Sequence, residues 1–421
     1  MPVQGKAVVI GGGTFSHIRS HLALAAPAFG QTAEQLGSML RLQSWPVDIV
    51  KTRMAGGGPS LVTNEDVADF VDTLVRDPNV KVIVMNVALC DFNGAIMDGT
   101  HATPSGKDET RLQTSEGGKL LGIHPAGKIL SRIRKVRKDI FLVGFKTTVG
   151  ADYKGQYQAG LKLLKQNSCN LVLANDVLTR YNMIITPEQA IYGYTSHRQE
   201  ALDELSRMIT ARANLTFTRS TVVQDDLVPW ASPEVPDSLR KVVDHCIALG
   251  AYKPFLDATV GHFAVKLRDG EFITSIRKSN FNRLSETGLV RVETVGEDKV
   301  IAHGARPSVG GQSQRIVFDD HPGLDCIVHA HIPLKSRPTD NIPIRSQWPY
   351  ECGSHACGKN TSDGLKDFGG IRAVMLDKHG PNIVFNRGMD PSKVISFIEA
   401  NWDLSKSTDG VLTAPGEGSN M

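Results

Sequence analysis

Lys6-Ala7-Val8-Val9-Ile10-Gly11-Gly12-Gly13-Thr14 sets the pattern for the first half of the chain. A short β-branched run that stops in glycines reads as a buried strand followed by a tight turn. Working outward, Asn64 stands where it can cap a helix whose apolar residues Val67, Phe70, Val71 and Leu74 recur at helical spacing. Lys81 to Val87 and Ile140 to Phe145 are further strands. Tyr153 to Lys165 is a helix, Leu171 to Ala174 a strand ending at Asn175-Asp176, and Gln199 to Ala213 a closing helix. Strands alternating with helices predict an α/β domain with a Rossmann-like parallel sheet. Ligands of such sheets bind beyond the carboxyl ends of the strands.

The 421 residues exceed one ordinary core. They divide into a nucleotide-binding domain over 1–215, a linker over 216–235 carrying Pro229 and Pro233, a second domain over 236–406, and a tail over 407–421. The tail, rich in Gly, Ser and Thr, is expected to be disordered. The second domain starts with an amphipathic helix bearing Leu239, Val242, Val243, Cys246 and Leu249. Shorter β segments follow at 261–267, 271–275, 289–293 and 299–302. Asp390-Pro391 announces a final helix, a cap followed by proline at the first helical position.

Charged residues make up 22% and the formal net charge is +3. That balance gives no electrostatic ground for a nucleic-acid or membrane partner. No apolar run approaches the ~18 residues of a membrane helix, and the start reads as a strand rather than a secretory signal. Six cysteines stand without a dense disulfide pattern, so a reducing cytoplasm is expected.

Cys326-Ile327-Val328-His329-Ala330-His331 is a buried strand ending in two histidines. Residues two apart on a strand share a face, so His329 and His331 can aim two imidazoles at one point. A third, His379, follows the apolar run Ala373 to Leu376. Three imidazoles on zinc leave a fourth position for water or substrate, the pattern of a catalytic site. The alternative is a set of hydrogen-bonded core histidines.

Over roughly Pro236 to Leu404 this half resembles the class II aldolase/adducin family. Gly261 to Lys266 looks like that family's glycine-asparagine strand opening, and Phe272-Ile273-Thr274-Ser275 like its ITPSG segment. Pro307-Ser308 with the His329/His331 pair looks like its PSSE…HTH block, and Lys378-His379-Gly380 like its NHG. The resemblance implies an α/β/α fold in which His329, His331 and His379 hold Zn2+ or another divalent metal. That metal polarises a carbonyl and stabilises an enediolate on substrates that are often phosphorylated sugars. Arg277 and Lys278 are the candidate phosphate ligands.

The chain departs from the pattern at two positions. The family's catalytic glutamate falls on Gly310 and its asparagine on His262. A general acid/base must then come from elsewhere. Glu351 is the candidate catalytic residue, with Asp319, Asp320 and His321 as alternatives. Cys352, His355 and Cys357 form a second candidate metal cluster, or a plain loop.

The first half, roughly Gly5 to Asp176, resembles phosphopantothenoylcysteine synthetase. Gly12-Gly13-Thr14 looks like its GGT, Asn86 to Phe92 like its AAVADY/F, and Gly106-Lys107 like the lysine of its KIKK loop. Val143-Gly144-Phe145 matches VGF, and Lys162, Lys165 and Leu173 to Asp176 resemble K…K…VAND. The resemblance implies CTP or ATP with Mg2+, held by Gly12, Gly13, Thr14, Asp91, Phe145, Lys162, Lys165 and Asn175. Lys107 is the catalytic candidate and Lys119 its competitor. The family's SNxSSG segment is not recognisable in Ala25 to Thr32, so the acyl acceptor is expected to differ.

The combined expectation is a bifunctional enzyme of small-molecule metabolism. A ligase-like, carboxylate-activating domain would be fused to a metal-dependent, aldolase-like lyase domain. The alternatives are a metal-dependent lyase or epimerase with a regulatory nucleotide domain, and a non-catalytic scaffold of the adducin kind. Both families form oligomers, which implies a homo-oligomer, a tetramer or larger.

Overall fold

The computed structural model describes residues 5–408, apart from the side chains of 310–313. Its contacts divide the chain into two compact units. One comprises 1–185 and 192–214, the other 186–191 and 215–421.

The first unit is built on seven strands: β1 (Lys6–Gly13), β2 (Val47–Lys51), β3 (Val80–Ala88), β4 (Phe141–Thr148), β5 (Leu171–Asp176), β6 (Asn182–Ile185) and β7 (Ile191–Thr195). Their spatial order is β2-β1-β3-β4-β5-β6-β7. The first five pair in parallel, and β6 joins β5 antiparallel. The expected parallel sheet is present, in the doubly wound order 2-1-3-4-5. The strand order reverses between β1 and β3, which is where such sheets bind their ligands. Helices α1 (Gln31–Leu42), α2 (Asn64–Leu74), α3 (Tyr153–Asn167) and α4 (Arg198–Arg212) accompany the strands.

The glycines closing β1 are demanded by packing. A Cβ on Gly12, whose φ is +105°, would lie 2.2 Å from Thr52 Oγ1. One on Gly13 would lie 2.0 Å from the Ala26 carbonyl oxygen. Helix α2 begins one residue from its expected cap. Thr63 accepts from the Asp66 amide and Asp66 reciprocates, a capping box. That leaves the Asn64 side chain to bridge elements, as described below.

The second unit contains a ten-stranded sheet. Its main strands are β8 (Arg219–Val223), β9 (His262–Arg268), β10 (Glu271–Thr274), β11 (Val290–Thr294), β12 (Lys299–His303), β13 (Cys326–His329), β14 (Ile371–Leu376) and β15 (Gly380–Phe385). They run β8-β12-β11-β10-β9-β13-β15-β14, and the short strands Ile344–Arg345 and Lys366–Phe368 both pair with β14. From β12 to β14 the neighbours are antiparallel. Helices α5 (Asp237–Ala248), α6 (Val309–Asp320), α7 (His355–Gly364) and α8 (Pro391–Asn401) complete it. Asp390 caps α8 by accepting from the Ser392 amide, with Pro391 at the first position. The core gathers Trp230, Tyr252, Phe263, Phe281, Phe385 and Trp402.

Two boundaries differ from the sequence reading. Residues 216–235 are not a free linker: 219–223 form edge strand β8, parallel to β12, and Trp230 and Val235 are buried in the core. The prolines mark turns between these packed pieces rather than a flexible tether. Ser407 and Thr408, read as disordered tail, are 6% and 7% exposed. The rest of that tail, 409–421, lies outside the described residues.

Candidate functional site

The histidine centre is made where β13 and β15 meet. β13 ends at His329, so His331 stands two residues past the strand rather than on it. The three imidazoles converge all the same. Their ligand atoms lie within 4.8 Å of one another, and this is the one such His/Cys/Asp/Glu group among the described residues. His379 reaches the centre through the turn Asp377-Lys378-His379 between β14 and β15. Gly380 has φ +145°, and a Cβ there would lie 2.0 Å from the Ala330 carbonyl oxygen. Glycine therefore lets the two backbones touch and brings His379 against its partners.

The donor set fits a tetrahedral cation. The Nε2 atoms of His329 and His379 are 3.2 Å apart, and two nitrogens on a tetrahedral zinc lie ~3.3 Å apart. His329 Nδ1 is 2.7 Å from the Pro381 carbonyl oxygen. Since a carbonyl only accepts, the ring proton sits on Nδ1 and the Nε2 lone pair faces the centre, the usual arrangement of a metal-bound histidine. Burial lowers the His329 pKa to about 4, against the opposing bond to Pro381, so the ring is neutral at pH 7. The three rings are 1%, 4% and 2% exposed.

Two further groups support the centre without sequence signals. Thr408 donates its amide to the His331 carbonyl oxygen (2.9 Å) and its hydroxyl to that of His379 (2.6 Å). Glu188, 1% exposed, accepts from the Cys352 amide at 2.6 Å and so fixes the loop beside the histidines.

The remaining candidates in this unit separate. Glu351 is buried next to Cys352. Asp319, Asp320 and His321 end α6, ~8–11 Å along its axis from Gln314, the helix's contact with His262. Asp320 is engaged by Lys359 and Ser362, and His321 by Arg372 and Ser362. Burial raises the Asp319 pKa. His355 turns away to Thr216, Thr218 and Asp298. Cys357 faces Gln347, so Cys352, His355 and Cys357 do not converge as a second metal group. His355 and Cys357 open α7, which Ser354 caps, and Cys352 precedes that cap. Arg277 and Lys278 are exposed in the loop after β10. That loop leaves the sheet at the His262 end, since the Ser275 amide bonds the Phe263 carbonyl oxygen.

In the first unit the carboxyl ends of β1 and β3 are tied by a buried network. The Thr14 hydroxyl donates to Asn64 Oδ1 (2.7 Å) and accepts from the Cys90 amide (3.0 Å), while Asn64 Nδ2 donates to the Cys90 carbonyl oxygen. Thr14 is fully buried, so its side chain braces the edge. Beside it lies a cavity of about 420 Å3 lined by Ser16, His17, Thr63, Asn93 and Lys107. Lys119 is paired with Glu116 instead, which leaves Lys107 as the lysine at the cavity. Asp91 is exposed and paired with Lys128 at 2.8 Å.

At the ends of β4 and β5, Asn175 Oδ1 accepts from Thr147 (3.4 Å). Burial would raise the Asp176 carboxyl. The amides of Thr179 and Ala151, the Thr148 hydroxyl and the Gly150 amide outweigh it and hold the group below the usual carboxylate range. Phe145 carries the Arg198 guanidinium 5.8 Å from its ring centre. Arg198, whose pKa burial lowers to about 10, also donates to Asn182 and Thr32. Sequence reasoning missed this arginine, and also the aromatic group in which Tyr181 stacks on Tyr194 at 4.8 Å with Tyr153 edge-on. Lys162 and Lys165 do not join the set. They lie ~13 and ~18 Å along α3 from its start, toward the opposite edge of the sheet.

The fold and site therefore describe an α/β chain with one doubly wound parallel sheet and one three-histidine centre. No family profile matches the chain. It is similar to the coenzyme A biosynthesis bifunctional protein CoaBC of Thermococcus kodakarensis, 22% identical over 182 residues, 41% of this chain and 42% of that protein. The chain thus spans about two fifths of the length of the curated relative it matches. A solved DNA/pantothenate metabolism flavoprotein from Streptococcus pneumoniae is 18% identical with a TM-score of 0.43, over 49% of this chain and 99% of that one. L-fuculose-1-phosphate aldolase from Thermus thermophilus is 21% identical with a TM-score of 0.30, over 43% of this chain and 95% of that one. The N-terminal half is thus similar to proteins of pantothenate metabolism and the C-terminal half to an aldolase, the two kinds of protein read from the motifs. Among the described residues no helix is long and apolar enough to cross a membrane.

Proposed function

We propose that this chain is a two-part enzyme of small-molecule metabolism, with its better-equipped centre in the second unit. His329, His331 and His379 would hold a divalent cation, zinc by the donor set. When bound, such a cation polarises a ligand oxygen as a Lewis acid. The chain's own residues do the rest. Pro381 fixes the His329 tautomer, Thr408 and Gly380 fix the backbone of the other two ligands, and burial keeps the His329 ring neutral and ready to bind. Gly310 cannot serve as a proton acceptor. These features favour binding and polarisation of an oxygenated substrate, with Glu351 the candidate for any proton transfer.

The first unit would bind CTP or ATP with Mg2+ at the β1/β3 edge and activate a carboxylate, with Lys107 beside the cavity. One observation supports the narrower alternative of a regulatory nucleotide domain: Lys162 and Lys165 lie toward the far edge of the sheet.

The convergence of the three imidazoles carries this proposal. Its test is metal content by elemental mass spectrometry, with a His329→Ala/His331→Ala variant alongside. About one zinc, manganese or iron per chain, lost in the variant, supports the metal reading. A metal-free protein that none of these ions stabilises overturns it. Single-turnover release of pyrophosphate from CTP or ATP separates the ligase reading from the regulatory one.

A further inference from the structure

The cavity at the β1/β3 edge is walled by chain that the main sheet does not use. Past Thr14 the chain enters a hairpin, Phe15–Arg19 with Leu22–Ala25. The hairpin packs on a small antiparallel sheet of Phe92–Asp98, His101–Ala102 and Leu120–Pro125. Gly94 permits the approach, since a Cβ there would lie 3.0 Å from Leu24 and 3.1 Å from Ile18. Ser16 of the hairpin donates to Asn93 Oδ1 at 3.2 Å and ties the two pieces together. Asn93 is the register partner of His124, so both side chains stand on one face of the small sheet. The enclosed volume, about 420 Å3, is that of a small-molecule site.

Such sites are ordinarily lined by hydrophobic and aromatic side chains. Here no leucine, isoleucine, valine, methionine, phenylalanine, tyrosine or tryptophan is among the described residues of the lining. Ser16, Asn93, Ser105, Lys107 and His124 line it instead. Ser16 uses its proton on Asn93 Oδ1, which leaves the Ser16 lone pairs and the Asn93 Nδ2 donors for a ligand. Lys107 forms no ion pair among the described residues. Glu65 lines the same cavity, so a polyphosphate would meet one lysine and one carboxylate. That balance suits a ligand with a single negative charge and several hydroxyls.

We propose that this cavity takes a polyhydroxylated monocarboxylate, an acid of the aldonic type, with its carboxylate at Lys107 and its hydroxyls on Ser16, Asn93, Ser105 and His124. The inference rests on the reading of the first unit as a carboxylate-activating domain and names the class of acid it would activate. An acid with a hydrocarbon body would leave these polar groups desolvated and unpaired, which is costly.

The test is isothermal titration of the full chain with D-gluconate, sorbitol and hexanoate. Sorbitol keeps the hydroxyls without the carboxylate, and hexanoate the carboxylate without the hydroxyls. Gluconate is expected to bind about tenfold tighter than either, or better. Lys107→Met is expected to bring gluconate down to the affinity of sorbitol. Asn93→Leu is expected to cost gluconate about tenfold without weakening hexanoate, a split that loss of folding would not give; Asn93→Ala serves if the leucine variant does not fold. Hexanoate bound as tightly as gluconate, or gluconate affinity unmoved in both variants, overturns the proposal, and so does a wild type that binds none of the probes. Pyrophosphate release from CTP or ATP is read in parallel. Gluconate that binds as expected but stimulates no release overturns the carboxylate-activating reading and leaves the cavity assignment standing. Release stimulated by hexanoate and not by gluconate overturns the assignment and leaves that reading standing.

Discussion

Stripping metal from the second unit should make it acid-sensitive, and the His329 ring carries a separable share of that sensitivity. The folded His329 imidazole protonates near pH 4 because it is buried, whereas an unfolded histidine protonates near pH ~6.5. Between these values the unfolded chain binds more protons than the folded one, so stability is present above pH ~6.5 and is lost as pH falls toward 4. Integrating between the two pKa values gives about 2 kcal/mol lost from this group by pH 5, and ~3 kcal/mol at the limit. The control is His329→Gln, which is uncharged at every pH in the range. Of the four tryptophans, Trp45 lies in the first unit and Trp230, Trp348 and Trp402 in the second. On a Trp45→Phe background, fluorescence during urea unfolding therefore follows the second unit alone. With EDTA present, the stability of the His329 protein relative to the Gln variant should fall by about 2 kcal/mol from pH 7.5 to pH 5. Free zinc at ~100 times its Kd should restore ~2.7 kcal/mol to the protein with His329. Parallel pH dependences for the two proteins would refute the claim that this ring is buried and neutral.

Gly380→Ala should lower the stability of the second unit by more than ~1–3 kcal/mol and abolish metal retention, because its Cβ would strike a backbone carbonyl oxygen; chelator competition and urea unfolding check this. Thr408→Val should weaken metal binding by roughly fivefold through loss of one hydrogen bond near His379, read by competition with a chromophoric chelator. Lys107→Ala should reduce pyrophosphate release from CTP or ATP by ~100-fold or more, whereas Lys162→Ala/Lys165→Ala should stay within about twofold, since those lysines sit far along α3. Asp176→Ala should cost ~3 kcal/mol or more in the first unit by stranding several backbone amides, measured by the urea midpoint of the Trp45 signal.

Much of this protein was legible as periodicity. The alternation after Lys6 to Ile10 fixed a parallel sheet because strand and helix spacings are local properties. The Asp390-Pro391 cap was equally local, and so was the Thr63/Asn64 start of α2 to within one residue. His329, His331 and His379 stood out because two lie two positions apart and the third follows an apolar run. Long-range packing decided the rest. Only the assembled sheet sent Lys162 and Lys165 toward its far edge, because a helix's direction depends on the crossover it makes. Only packing turned residues 216–235 from apparent linker into strand and core, and seated Thr408 on two metal-candidate histidines that lie far back along the chain. His262 and Gln314, fifty-two positions apart, share no sequence signal. Their meeting exists only because β9 pairs with β13 while α6 supplies the facing amide, and hydrogen bonds of that separation are set by the fold rather than by any stretch of residues.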